Sequence, residues 1–176
     1  NGYEGVAFLL ARFGGAKLDD PGNPQHGLDL KAMATQYAVQ WSQEKSSRRE
    51  VGADAMQAIP CINHPVFKGN PVNIDPREEF VRNLYAKRGE YNVFHDYYRA
   101  LVQALYDEGA TRNVFCVNVD AIIAALLLKM MWQPYRTGAV AEGGLETAAF
   151  TVFLYGRMIG CAAEIDDHMN RGRNLD

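Results

Sequence analysis

Residues 114–132 read VFCVNVDAIIAALLLKMMW, the most apolar stretch of the chain. Nineteen residues are long enough to suggest a membrane span, but Asn118, Asp120 and Lys129 interrupt the run. Ionisable groups in hydrocarbon are costly, so the stretch reads as the buried helix of a folded body. Working outward, the same helical period recurs on both sides. Phe94, Tyr97, Tyr98, Leu101, Val102 and Leu105 form one face of a helix over about 92–108. Asp75-Pro76, a cap followed by proline at the first helical position, opens another that Phe80, Val81, Leu84 and Tyr85 carry on to Gly89. Asp29 caps a helix with Leu30, Met33, Ala34, Tyr37 and Trp41 on one face, ending in a solvated turn or a frayed end over 46–50. Val6, Leu9, Leu10 and Phe13 follow the i, i+3, i+4, i+7 spacing, and Gly14-Gly15 ends that helix. A loop over 133–144 leads to a last helix over about 145–170, interrupted or kinked around Gly156 and Gly160. No stretch alternates as a strand does, so the expected class is all-α.

Composition sets outer bounds. With 176 residues, 48% hydrophobic and 22% charged, the chain can bury a substantial core. A net charge of −3 argues against a nucleic-acid binder, which would carry a basic patch. Cys61, Cys116 and Cys161 are odd in number, far apart and in apolar surroundings, which suits reduced core thiols of a cytoplasmic protein rather than disulfides or zinc ligands. No charged leader with an apolar core is visible at the start, and both ends read as cut from a longer chain.

Two regions interrupt the helices. Residues 19–27 hold two prolines and two glycines and form a loop. Residues 57–74 hold Pro60, Pro65, Pro71 and Gly69, yet Ile59, Ile62, Val66, Phe67 and Val72 are too apolar for a solvated linker. A half-buried irregular loop must find partners for its backbone, and such loops often serve a ligand.

Side chains in that loop and on the helices could carry chemistry. His64, fixed by Pro65, either donates to a reacting carbonyl oxygen or satisfies a backbone carbonyl. Asp120 lies near a helix start, where the dipole favours the carboxylate and burial favours the acid. It is either a general base or a plain cap. Arg77 and Arg157, in a helix first turn and an apolar helix, either grip carboxylates of a substrate or pair with acids of the protein. His26 and His95 have no partner legible in sequence. Glu164 and His168 have an i, i+4 metal-ligand spacing but no third ligand, so no metal is expected.

Taken together, four segments resemble the C-terminal part of the citrate synthase superfamily. Ile59-Pro60-Cys61-Ile62-Asn63-His64 followed by Asp75-Pro76-Arg77 is similar to that family's Pro-Gly-x-Gly-His loop leading to Asp-Pro-Arg, with Cys61 and Asn63 standing where glycines are usual. Asn118-Val119-Asp120 resembles its Pro-Asn-Val-Asp motif. Tyr155-Gly156-Arg157-Met158-Ile159-Gly160 resembles its Leu-Gly-Arg-x-x-Gly stretch, and the first helix resembles the one after its His-Gly-Gly-Ala-Asn turn.

The resemblance implies a small, CoA-binding and catalytic domain over 1–145 and a helix over 146–176 that returns to a large domain outside this chain. It implies condensation of acetyl-CoA with oxaloacetate to citrate and CoA, with these as substrates and no further cofactor. Run in reverse, the same groups make a citryl-CoA lyase; with chemistry lost, they make a CoA or tricarboxylate binder. Asp120 would be the base, His64 the donor to the ketone oxygen, and Arg77 and Arg157 the carboxylate grips. Ile59, Pro60, Cys61, Ile62 and Asn63 would pass near the adenine end of CoA. The implied assembly is a cytoplasmic homodimer sharing its active site, with no nucleic-acid or membrane partner. A last family arginine would lie near or beyond Asp176, with Arg171 and Arg173 as weak candidates within the chain.

Overall fold

The computed structural model describes residues 2–52, 54 and 58–171. The chain is all-α, as its periodicity predicts. The elements are α1 (Gly2–Phe13), α2 (Leu30–Glu50), α3 (Pro76–Arg88), α4 (Val93–Asp107), α5 (Val119–Arg136) and α6 (Glu142–Arg171). Among the described residues the extended pairings are two isolated bridges, Ile62 with Val117 and Val72 with Val114.

Caps explain most of the helix starts. The side chains of Asp29, Asp75, Asn92 and Asn118 each accept from backbone N–H groups in the first turn that follows. The core forms where α1, α4 and α5 meet. Val6, Leu9, Phe13, Phe94, Tyr97, Tyr98, Leu101, Leu105, Leu128 and Trp132 lose all contact with water. Burying an aliphatic or Phe side chain of this kind stabilises by about 1.5–3 kcal/mol. Their rings meet edge to face, Phe13 on Phe94 at 5.1 Å and on Tyr97 at 5.3 Å. The indole N–H of Trp132 donates to the Leu18 carbonyl at 2.7 Å, tying the loop after α1 to α5.

Several local expectations need correction. Helix α5 begins at Val119, after the extended residues 114–117, and runs through Pro134 to Arg136 instead of giving way to a loop at Gln133. Proline in the last turn forfeits one intrahelical bond. Beyond it, Arg136 donates to the carbonyls of Gly14 and Ala16, which anchors the extension. Helix α2 continues through residues 46–50, exposed and supported by an Arg48–Glu44 pair at 2.9 Å. Phe80 is 69% exposed; the residue that α3 buries is Glu78. Cys61 and Cys116 are buried, but Cys161 is exposed, so it is no core residue.

Helix α6 is continuous through Gly156 and Gly160. Its first third packs on α1 and α5, burying Leu145 and Ala149. Beyond that point Phe150, Val152, Tyr155, Met158, Ile159 and Met169 stand more than half exposed. This helix, over Glu142–Asn170, is long and apolar enough to cross a membrane by length and composition. A helix apolar on nearly all sides is normally surrounded.

Candidate functional site

The irregular loop is stitched onto the start of α5. The Asn63 N–H donates to the Cys116 carbonyl at 2.7 Å, and the Asn118 N–H donates to the Cys61 carbonyl at 3.1 Å. The Asn118 side chain works in both directions. Its Oδ1 accepts from the N–H groups of Asp120 (3.0 Å) and Ala121 (3.3 Å), while its Nδ2 donates to the Asn63 carbonyl at 3.2 Å. The α5 cap is therefore Asn118, and the same amide holds the residue before His64. Asp120 sits one position inside the first turn, half-buried.

The loop conformation is unusual at two places. Cys61 and Asn63 both have φ of 67°, the only non-glycine residues with positive φ among those described. An L side chain in this left-handed region costs roughly 1–2 kcal/mol, less for asparagine. These are the two positions where the resembled loop carries glycine, whose lack of a Cβ removes that cost. The shape of the loop is thus one that glycine would adopt freely, held here by its ties to residues 116–118.

His64 is half-buried, and its Nδ1 accepts the Val66 N–H at 3.1 Å. A neutral imidazole with Nδ1 as acceptor carries its proton on Nε2, so Nε2–H is the group left to donate. The ring stacks on Phe67 at 4.6 Å, and the guanidinium of Arg77 lies over that same ring at 5.6 Å. Phe67 therefore joins His64 to Arg77.

Arg77 has an acid partner. Its Nε donates to Asp75 Oδ1 at 2.9 Å and its Nη2 to Oδ2 at 2.7 Å, a bidentate fork. Burial of Asp75 pushes its carboxyl up, but the hydrogen bonds and charge of Arg77, with His64 nearby, outweigh it and leave the carboxyl below its ordinary value. Arg77 is held above its own ordinary value by the hydrogen bonds to Asp75, against burial, with the charges of Asp75 and Asp120 adding. Burial pushes the Cys61 thiol up to about 12, and the Asp120 carboxylate adds to the rise. Asp120 thus acts electrostatically on both Arg77 and the loop.

The structure accordingly brings His64, Arg77 and Asp120 into one region around the loop and the α5 N-terminus. Arg157 does not join them. It stands exposed on the outer part of α6 with its guanidinium 4.9 Å from the ring of Phe153 on the same helix. Of the loop residues, Ile59, Cys61 and Ile62 turn into the core and Asn63 faces outward. Ile59 and Pro60 border a cleft of about 670 Å³ between α1 and α2, lined also by Arg12, Tyr37, Trp41 and Arg48. Arg12 Nε and Trp41 Nε1 are buried there without a hydrogen bond. Glu4, Glu44 and Glu146 share the lining, and Arg48 is bound to Glu44.

Other candidates find structural partners. His26 Nε2 is 3.0 Å from the Tyr91 hydroxyl, and His95 Nε2 is 2.9 Å from Glu78 Oε1, both of the latter buried. His168 meets Glu164 at 3.0 Å, and among the described residues no group of three or more His, Cys, Asp or Glu could hold a metal ion. Arg173 and the side chain of Arg171 lie outside the described residues. Phe67 and the bridging role of Asn118 were missed in the sequence. An asparagine ahead of an apolar helical run was a readable cap signal; the ring sandwich at Phe67 had none.

Compared with protein-family models, curated proteins and solved structures, the chain matches none.

Proposed function

We propose that this chain is the catalytic portion of a citrate synthase-like enzyme, joining acetyl-CoA to oxaloacetate. The observation that carries the reading is the loop over 59–64. It takes left-handed backbone at Cys61 and Asn63 and bonds to the segment bearing Asp120, so that a histidine and a carboxylate share one region. Asp120 removes a proton from the methyl carbon beside the thioester. The resulting carbon nucleophile attacks the ketone carbon of oxaloacetate while His64 Nε2–H donates to the ketone oxygen. Water then releases CoA from the citryl thioester. Arg77 holds a substrate carboxylate with the N–H groups that Asp75 leaves free, and holding the two reactants in register accounts for much of the rate. Ile59 and Pro60 meet the nucleotide end of CoA along the cleft they border. The apolar outer part of α6 supports the same reading, as a returning helix that carries Arg157 and is covered by further helices of a large domain.

A second reading is favoured by one observation: Asp75 occupies two donors of the Arg77 fork. In that reading the chain binds a CoA ester or tricarboxylate without turning it over. The experiment is thiol release from acetyl-CoA, dependent on oxaloacetate, by the full-length parent, together with citryl-CoA cleavage. The enzyme reading expects one of these activities and a loss of at least a thousandfold in Asp120→Asn. Absence of both activities overturns it.

A further inference from the structure

A second cleft, of about 520 Å³, opens between α3 and α4, beside the Glu78–His95 pair that joins them, and is bordered by the start of α2 and by residues 72–74 and 114–117. None of its lining residues belongs to the chemistry proposed above, and the lining combines apolar with charged side chains. Its apolar lining includes Leu30, Val72, Ile74, Ala100, Val114 and Phe115. Val72 and Ile74 remain 58% and 46% exposed there, although the core is within reach of the same segment. Its charged lining holds Lys31, Arg82 and Arg99 with Glu78 and Asp96, and Glu79 also pairs with Arg82.

Both lining acids already have other partners. Glu78 Oε1 meets His95 at 2.9 Å, and Asp96 Oδ2 accepts from the Tyr91 hydroxyl at 3.1 Å. The arginines are held more loosely. Arg82 Nε is buried 3.4 Å from Glu78 Oε1 without forming a hydrogen bond, and its Nη2 reaches Glu79 at 3.4 Å. Arg99 Nη1 stands 4.0 Å from Asp96. Guanidinium groups are built for two-point recognition of a carboxylate, and a buried N–H without an acceptor is costly until one arrives. Pockets that hold small ligands are apolar with a few such placed polar groups and span about 300–1,000 Å³.

We propose that this cleft binds an amphiphilic carboxylate, its head between Arg82 and Arg99 and its apolar body along Val72, Ile74, Ala100 and Phe115. The buried Arg82 Nε, which has no hydrogen-bond acceptor, selects an anionic head, and the apolar lining selects a chain or flat hydrocarbon body over a small polyacid.

The test is calorimetric titration of the 176-residue chain with decanoate, decylammonium and decanol, with amide NMR shifts to locate the site. Decanoate is expected to saturate one site, at least tenfold tighter than either analogue, with shifts confined to residues 72–74, 82, 99–103 and 114–117. The double variant Arg82→Gln/Arg99→Gln is expected to weaken decanoate at least tenfold, as is Val72→Asp, which places a like charge along the chain path at an exposed position. Ile159→Gln, on the exposed apolar part of α6, is expected to change nothing. No decanoate binding at millimolar concentration, equal binding of decanol, or affinity unchanged in the arginine double variant overturns the proposal. So does loss of binding in Ile159→Gln, which would place the amphiphile on α6. Each outcome is independent of thiol release, so this site stands or falls separately from the proposed catalysis.

Discussion

Replacing Asn118 by alanine removes one side chain and three hydrogen bonds. Two of them satisfy the N–H groups of Asp120 and Ala121 at the start of α5, and the third ties α5 to the carbonyl of Asn63. Loss of an N-cap costs about 1 kcal/mol. Loss of the partly exposed amide tie costs about 1 kcal/mol more. The expected total is about 2 kcal/mol, which for a urea slope of roughly 2 kcal/mol/M moves the midpoint down by about 1 M. Asn118→Asp separates the two contributions. A carboxylate keeps the capping oxygen and suits the helix N-terminus, yet it donates nothing to Asn63 and sits near Asp120. About half the alanine loss is expected. Hydrogen exchange gives a local reading: amides of residues 61–64 should open faster in both variants, while those of α4 change only with global stability. A midpoint shift below about 0.2 M in the alanine variant, or equal losses in both variants, would refute the idea that one amide joins the loop to the helix.

Three further outcomes follow from named contacts. Asp75→Asn keeps a capping oxygen but removes the charge under Arg77 and should cost about 2 kcal/mol at pH 7. Because the folded Asp75 carboxyl lies below its ordinary value, its contribution is present above the unfolded pKa of about 3.9 and fades as pH falls through the folded value. The gap between wild type and variant in denaturant melts should therefore narrow below about pH 4; a gap independent of pH would exclude the ion pair as its source. Gly5→Ala places a Cβ 2.6 Å from the Cys61 Sγ and 3.1 Å from the Ala124 Cβ, so crowding of about 1–3 kcal/mol should exceed the better helix propensity of alanine. Adding Cys61→Ala should recover at least half the loss, and simple additivity in that double-mutant cycle would contradict the packing. A thiol reagent should modify Cys161 alone in the native chain at pH 8 and all three cysteines in denaturant, since burial pushes Cys61 and Cys116 up to about 12 and about 11. Rapid native labelling of a second thiol would be inconsistent with that burial.

The sequence by itself determined that the chain is helical, where the capped helices α2, α3 and α4 begin and which face α4 buries. Those signals are local: a capping side chain reaches two or three residues ahead, and a buried stripe repeats every three or four. Hence Asp29, Asp75-Pro76 and the aromatic face of α4 were legible, as was the irregular loop forced by its prolines. Local signals misjudged ends, at Pro134 and at residues 46–50, where anchoring side chains outweigh a weak terminator. The tertiary structure alone decided which chemistry meets. The Asn118 amide reaches Asn63 across 55 positions, and Glu78 finds His95 across 17. It also decided that Asp75 would hold Arg77, and that Arg157 would stand apart on α6. Such pairings depend on how whole helices dock, and docking is set by shape and burial summed over many side chains, which no short window of sequence contains.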